Sequence, residues 1–452
     1  VAVHPDDPRY KHLHKSRVWH PFRQVAIPIV TDAELVDMEF GTGAVKITPA
    51  HDPNDFACGR RHGLEEISIL DDVGRINEVG GEEFAGLMRY DARVAVEKSL
   101  EKRGLLRGKK DNKMAIGICS RSGDIIEPRL KPQWWVDCKD MARRSVEAVE
   151  KGDLKILPEL HKRTWFAWLR NIRDWCISRQ LWWGHRIPAY YATIEGEEEA
   201  GAASPGAAAG GGGAGEKSAG KMGTVYEEQT RWFVAPTKEE ATKQAAEKLG
   251  VDASRIRLTQ DEDVLDTWFS SGLFPFSTFG WPDESHPDFK AFYPNSVLET
   301  GHDILFFWVA RMVMMGLELT DKLPFHTVFL HSLVRDRQGR KMSKSLGNVI
   351  DPIEVITGCP LEKLHSKLDD TNLPAGEIKR AKAGQKKEFP AGIPECGADA
   401  LRFGLLSAAV QGADINLDVG KVVTYRHFCN KLWNATRFAM LYLTGHPEDT
   451  NL

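Results

Sequence analysis

The stretch Arg335-Asp336-Arg337-Gln338-Gly339-Arg340-Lys341-Met342-Ser343-Lys344-Ser345-Leu346-Gly347-Asn348 crowds cations, serines and glycines into one loop-like run. Lysines on mobile backbone beside small hydroxyls suit a triphosphate whose α-phosphorus is under attack. The charge that builds at the transition state is best met by cations that arrive only then. On that reading Lys341, Met342, Ser343, Lys344 and Ser345 are the catalytic candidates, with Lys341 and Lys344 at the phosphates. A basic loop of arbitrary composition is more often plain solvated surface, so the setting has to decide.

That setting is an alternation of strands and helices from Asp263 to Ile350. Phe325 to His331 reads as a buried strand and Asp303 to Leu319 as a largely apolar helix, which predicts a doubly wound parallel sheet. Upstream, Val1 to about Gly117 mixes short β-like runs with Gly and Pro. Ala44 to Thr48 reads as a strand entered through Gly41-Thr42-Gly43 and ended by Pro49. Asp91 to Gly104 reads as an amphipathic helix with Val94, Val96 and Leu100 on its apolar side. A tryptophan-rich region from Trp165 to Tyr191 is explained most simply by a packed core helix and a loop. Residues 195–224, Glu-rich and then an Ala/Gly tract, cannot bury enough apolar surface to fold and predict a disordered insertion. Thr237 to Leu249 reads as helix and residues 361–390 as a Lys-rich, polar helical insertion. Tyr425 to Leu443 carries Phe428, Leu432, Trp433, Phe438 and Tyr442 at helical spacing, as the first helix of a bundle would.

A chain of 452 residues exceeds one ordinary core and suggests roughly three domains. Its 42% hydrophobic and 27% charged residues are those of a globular protein, and a net charge of -4 argues against a uniformly basic coat. A local basic face remains compatible with RNA. Seven cysteines include no Cys-x-x-Cys pair, so a disulfide framework is not expected. The most apolar run, Ile304 to Ala310, is too short to span a bilayer, and no membrane partner is expected. No Gly-x-x-x-x-Gly-Lys-Ser/Thr phosphate loop occurs.

The pentapeptide Lys341–Ser345, preceded by a strand and followed by Leu-Gly-Asn, resembles the signature loop of the class I aminoacyl-tRNA synthetases. The resemblance extends over nearly the whole chain except the Ala/Gly tract. Asp263 to Gly272 is similar to the segment before the nucleotide-binding half in the valine, isoleucine and leucine subgroup, and Glu299 to Trp308 to its adenylate-binding turn. By that resemblance Trp268 and Ile304 line a small aliphatic pocket and Asp303 holds the substrate ammonium. Glu299, Gly301 and His302 sit against the adenosine of ATP. Apolar walls suit a branched side chain, and a carboxylate suits an ammonium. Core packing alone would explain Trp268 and Ile304 equally well. Ser178 to Pro188 resembles another subgroup hallmark near the acceptor end of tRNA, where Arg179 and Arg186 would meet phosphates. A structural role is favoured for its tryptophans.

Gly41 to Lys46 with Pro49 to Phe56 resembles the subgroup's hydrolytic editing domain. On that analogy Asp55 grips the amino group of a misattached amino acid, Lys46 and Asp52 shape a polar pocket, and His51 lies near the ester. Taken alone, His51, Asp52 and Asp55 are more often turn and cap residues. The implied fold is α/β: a Rossmann-type doubly wound parallel sheet interrupted by a β-rich editing domain and followed by a helical bundle. The expected domains are residues 1–117, the C-terminal portion of the editing domain, and 118–350, the second half of the catalytic core. Residues 351–422 are expected to form a stem-contact-like region, and 423–452 the start of a helical anticodon-binding domain.

The implied activity is ATP-dependent attachment of valine to its tRNA through valyl-adenylate, with Mg²⁺ accompanying ATP. Editing of threonine would complete it, because a hydrophobic pocket rejects a hydroxyl-bearing isostere poorly; valine against threonine is the standard illustration. Valine is preferred on Gly301 to Leu305, Asp266 to Gly272 and Cys429 to Ala435. An isoleucine-specific enzyme, or an editing or tRNA-binding piece without synthetic activity, are the alternatives. Expected partners are tRNA(Val), valine and ATP, with a multi-protein translation complex possible. Phe389 to Gly397 and the Lys-rich insertion favour a cytoplasmic form over an organellar one. The family's second signature, two histidines flanking a residue and a glycine, does not occur here. It is expected upstream of the editing part, so this chain alone is not expected to form adenylate. Cys119-Ser120-Arg121-Ser122 lacks a second thiol, and no structural zinc is expected.

Overall fold

The computed structural model describes residues 1–119, 122–196, 231–343, 346–371, 373–409 and 413–443. Residues 197–224 of the predicted insertion, and Lys344 and Ser345 of the signature loop, lie outside the described residues. The chain divides into two compact units, Val1–Gln133 with Ala189–Asp261, and Trp134–Pro188 with Glu262–Leu452. Residues 189–261, grouped with the catalytic core on sequence, thus belong to the first unit.

In the first unit Ala2–Val3 pairs in parallel with Val30–Thr31 and antiparallel with Ala44–Val45. The strand predicted over 44–48 is therefore only two residues long. Its continuation is diverted because the Thr48 N–H goes to the Asp55 carboxylate rather than to a ladder, and Pro49 has no N–H to offer. Helix α1 (Pro53–His62) follows, capped by Asp52, with Pro53 in its first turn and Gly63 closing it in the left-handed region. The helix predicted from Asp91 spans Arg89–Lys102 and buries Ala92 and Ser99. Val94 is exposed, so the predicted apolar face is rotated. Ala189–Ile194 is the centre of an antiparallel sheet between Trp232–Val234 and Ile256–Gln260. The helix Lys238–Leu249, capped by Thr237 as its sequence suggests, packs Ala241 and Ala245 with Tyr190, Phe233 and Leu258.

The second unit is built on three parallel strands, β1 (Lys155–Leu157), β2 (Asn295–Gly301) and β3 (Phe325–His331), with β3 in the centre. Phe325, Val328 and Leu330 of β3 are fully buried in a core shared with the helices Lys139–Lys151 and Arg311–Thr320. The helix predicted from Asp303 to Leu319 is instead three pieces: a 3₁₀ turn His302–Ile304, a π-helical turn Leu305–Ala310, and the α-helix Arg311–Thr320. Such π turns concentrate at functional sites.

Past β3, β4 (Val334–Arg335) pairs in parallel with β5 (Ile415–Asn416). The Lys-rich insertion is helical in two pieces, Leu361–Asp369 and α2 (Ala375–Glu388). Helix α3 (Val419–Leu443) begins earlier than predicted, burying Val419 and Val422; Leu432, Trp433, Phe438 and Tyr442 are exposed. The tryptophans of the central region divide. Trp165 and Trp175 are buried, whereas Trp182 and Trp183 are 98% and 82% exposed, contrary to the structural role expected of them. Backbone rather than side chain packs here: Gly184 approaches Val264 so closely that a Cβ would lie 3.0 Å from it.

Candidate functional site

In open parallel sheets, ligands collect at the carboxyl ends of the strands. Here β2 ends in Gly301, β3 in His331, and the turn after β2 carries His302, Asp303 and Ile304. Gly301 is required by close approach, because a Cβ would sit 2.8 Å from Asp303 Oδ1 and 2.9 Å from Leu333. Glu299 faces His331 across the strands, with Oε1 3.4 Å from Nε2. His302 stacks on His161, ring centroids 5.4 Å apart, and its Nε2 lies 2.8 Å from Asp414 Oδ1. Asp303 is reached from the signature loop: Lys341 Nζ donates to Oδ2 at 2.6 Å. An ion pair this exposed contributes about 0–1 kcal/mol, so a competing ammonium or phosphate can displace it.

The loop itself is stapled at its base. Asp336 is buried and accepts from the N–H groups of Gln338 and Arg340, from Arg340 Nε and from Asn348 Nδ2, all within 3.1 Å. Burial alone would raise its carboxyl, but these donors outweigh it and hold the group below its ordinary value. Asn348 Oδ1 in turn accepts the Ser343 N–H at 3.0 Å. Gly347 lies in the left-handed region with α2 so near that a Cβ would meet Ala381 at 2.9 Å. Met342 and Ser343 are half-buried and Lys341 exposed. Between this loop and α2 lies a cavity of about 570 Å³, lined by Arg337, Arg340, Asn348, Gln385 and Glu388, among others. Burial pushes the Glu388 carboxyl up.

Trp268 stacks on Phe307 of the π turn, centroids 6.0 Å apart, while Ile304 is half-buried on the preceding turn. Trp308 Nε1 donates to Ser271 O at 3.1 Å, tying the Trp268 helix to the same turn. Beneath them Asp266 is buried and accepts from Trp175 Nε1 at 3.0 Å, Arg179 at 2.7 Å and Arg311 at 3.4 Å. Arg311 lies 3.9 Å from the Trp175 ring centroid, and burial lowers its proton affinity. Arg179, expected at phosphates, is thus already committed to Asp266.

In the first unit, Lys46 Nζ donates to Thr48 Oγ1 at 3.0 Å. Thr48 N and Oγ1 both donate to Asp55 Oδ2, at 2.7 and 3.1 Å. Asp52 Oδ1 caps α1 through the N–H groups of Asn54 and Asp55. Ile69 N–H donates to His51 Nε2 at 2.9 Å, which leaves Nδ1 to carry the proton toward Pro128 O, 3.1 Å away. With both nitrogens engaged, His51 is a tie between loops. At the far end of α1, Asp32, Cys58 and His62 bring potential metal-ligand atoms within 4.8 Å of one another. Asp32 already accepts from Arg61, His62 and two backbone N–H groups, and burial pushes the Cys58 thiol up to about 11. A metal there would have to displace the guanidinium.

The structure therefore brings Asp303, His302 and Lys341 together, and separately Lys46, Asp52 and Asp55. It adds Thr48, Asp336, Asn348 and Asp414, which sequence reasoning did not single out. Thr48 had a local signal, seven residues before Asp55. Asp414 had none, being 112 residues from His302.

The family model for tRNA synthetases class I (I, L, M and V) matches residues 11–211 and 213–418. The chain belongs to the class I tRNA synthetases. Among curated synthetases it is 58% identical to valine–tRNA ligase of Rattus norvegicus over 97% of this chain and 33% of that protein. Identity is 57% to the Homo sapiens valine–tRNA ligase, with the same coverage. It is 55% to the mitochondrial 1 valine–tRNA ligase of Arabidopsis thaliana, over 98% of this chain and 38% of that protein. The chain thus spans about a third of the length of the curated relatives it matches. Among solved structures, a Mycobacterium tuberculosis methionyl-tRNA synthetase bound by methionyl-adenylate is similar over 68% of this chain and 40% of that one, at 16% identity and a TM-score of 0.35.

Proposed function

We propose that the protein containing this chain activates valine with ATP to valyl-adenylate and pyrophosphate, then passes the valyl group to the terminal adenosine of tRNA(Val). The carrying observation is the identity of 57–58% to valine–tRNA ligases across 97% of the chain. In this reading the three parallel strands are part of a Rossmann-type core, residues 351–422 a stem-contact region and α3 the start of an anticodon-binding bundle. Asp303 takes the valine ammonium, and Trp268 and Ile304 take its side chain. Glu299, Gly301 and His302 take adenosine, and Lys341 with Lys344 takes the phosphates. Mg²⁺ travels with ATP, held mainly by the phosphates.

The first unit hydrolyses threonyl-tRNA in this reading. The Lys46–Thr48–Asp55 chain offers a polar pocket to a hydroxyl-bearing side chain, and Asp55 offers a carboxylate to its ammonium. The cytoplasm is the proposed location, which fractionation tests against a mitochondrial pool.

The test is amino-acid-dependent ATP–pyrophosphate exchange by the complete protein, with valine, isoleucine and threonine. Exchange should be strongest with valine, and Lys341→Ala and Lys344→Ala should each lower it at least tenfold, about 1.4 kcal/mol of barrier. Preferred exchange with isoleucine, or none with any of the three, would overturn the reading.

A further inference from the structure

Asp414 lies 79 residues beyond Arg335 and 112 beyond His302 in sequence, yet it touches both. The parallel pairing of Val334 with Ile415 and of Arg335 with Asn416 brings residue 414 beside Leu333. From there Oδ1 accepts the Leu333 N–H at 3.0 Å and the His302 ring at 2.8 Å, while Oδ2 accepts Arg335 Nε. These donors belong to separate segments: the turn after β2, the segment between β3 and β4, and β4 itself. That turn carries Asp303, and β4 leads into the loop that carries Lys341. The neighbouring residues of the Asp414 segment continue the cradle. Leu417 N–H donates to Arg335 O at 2.9 Å, and Asp418 lies 3.5 Å from Arg337 Nε.

We propose that Asp414 is a positioning residue for adenylate formation, fixing the His302 ring and the base of the signature loop at one separation. The proposal rests on the functional reading above. Among the described residues two links join the turn to the loop, and they differ in kind. Lys341–Asp303 is a long exposed side chain on a carboxylate, which substrate must disrupt. Asp414 is only 19% exposed and has three donors, so it persists while the other opens. Its carboxyl is held well below the ordinary range: burial opposes ionisation, and His302, Arg335 and the Leu333 N–H outweigh it. His302 is also fixed from behind by His161, whose ring burial drives toward the neutral form, with His302 adding to that effect and Asp414 opposing it. The ring is thus clamped between a stacked imidazole and a carboxylate, with its plane and the Nε2 direction both set.

A group that acts through another loses its effect when the other is gone. The test is valine-dependent ATP–pyrophosphate exchange by the complete protein for Asp414→Asn, His302→Ala and the double variant, with thermal unfolding recorded for each. Asp414→Asn should lower kcat at least tenfold while moving the KM for valine less than twofold. In the His302→Ala background the same substitution should lower kcat less than threefold further. A purely structural role would lower the melting temperature without the kcat–KM split, and its effects would multiply. A kcat within twofold of wild type in folded Asp414→Asn, or multiplicative losses in the double variant, would overturn the proposal. Should Asp414→Asn fail to fold, His302→Gln carries the test: it must lower kcat at least tenfold, and an unchanged kcat overturns the proposal. Absence of exchange in the wild-type protein would instead sink the functional reading.

Discussion

The cluster around Asp55 and the cluster around Asp303 are both made of a carboxylate, a lysine and a hydrogen-bonded turn, but they are held differently. Around Asp55 the side-chain ties of the pocket residues are mainly local. Thr48 reaches Asp55 over seven residues and Asp52 caps the helix two and three residues on; His51, bridging Ile69 and Pro128, reaches further. Around Asp303 the ties run over 38 residues to Lys341 and, through His302, over 112 to Asp414. A pocket made by one strand end and one helix start keeps its shape wherever those elements fold. A site made by distant segments keeps its shape only while the whole core holds them. The difference teaches where damage should spread: substitutions in the second unit should couple stability to function, and those in the first should act in place.

The largest effect is expected at Asp266, the buried carboxylate beneath the aromatic shelf. Asp266→Ala leaves buried Arg311 unpaired and should cost about 3–5 kcal/mol of stability, read from urea unfolding. A cost below 1 kcal/mol would mean that the second unit is not held by its long-range charges. Next comes Asp55→Ala, which strips the Thr48 N–H and hydroxyl of their acceptor. It should cost about 1–3 kcal/mol and remove threonyl-tRNA hydrolysis while leaving valine-dependent exchange within twofold. Loss of exchange as well would break the contrast, because a local pocket in one unit would then be governing the site of the other.

Smaller still is Asp52→Ala. Loss of the cap on α1 should cost about 1 kcal/mol, and Asp52→Ser or Asp52→Asn should restore most of it because either can cap. Failure of both to restore stability would show that Asp52 does more than end the helix. The smallest effect concerns pH. Asp336 is held below the ordinary carboxylate value of 3.8 by Asn348 and Arg340. Its contribution to stability is therefore fully present above about that value and is lost as pH falls through the lowered one. The stability gap between wild type and Asp336→Asn should be constant from pH 7 to 5 and narrow below pH 4. A gap that widens in acid would contradict this.

What could be read from the chain follows the same contrast. Asp52 was legible as a cap residue, because a helix-initiating proline follows it, and β3 was legible because its run is dense in aromatic and branched apolar residues. The loop Arg335–Asn348 declared itself by composition. Its staple did not: Asp336 and Asn348 look like ordinary turn residues until they meet. The Asp303–Leu319 segment reads as one apolar helix, which conceals the π turn Leu305–Ala310, where Phe306 and Trp308 pack on the core. A structural role is favoured for Trp182 and Trp183 on residue type, yet both are exposed and the neighbouring Gly184 is what lies against Val264. Asp414 was invisible, since a parallel pairing between β4 and β5 across some 80 residues leaves no periodic mark.

The most direct test of the central claim, that the turn after β2 and the signature loop form a valine-activating site, is calorimetric binding of a non-hydrolysable valyl-adenylate analogue to the complete protein. The isoleucyl and threonyl analogues should be run alongside, with Asp303→Asn as the variant. The account predicts that the valyl analogue binds at least tenfold more tightly than the isoleucyl one, and that Asp303→Asn weakens it at least tenfold. Equal or tighter binding of the isoleucyl analogue, or an affinity indifferent to Asp303, would contradict it.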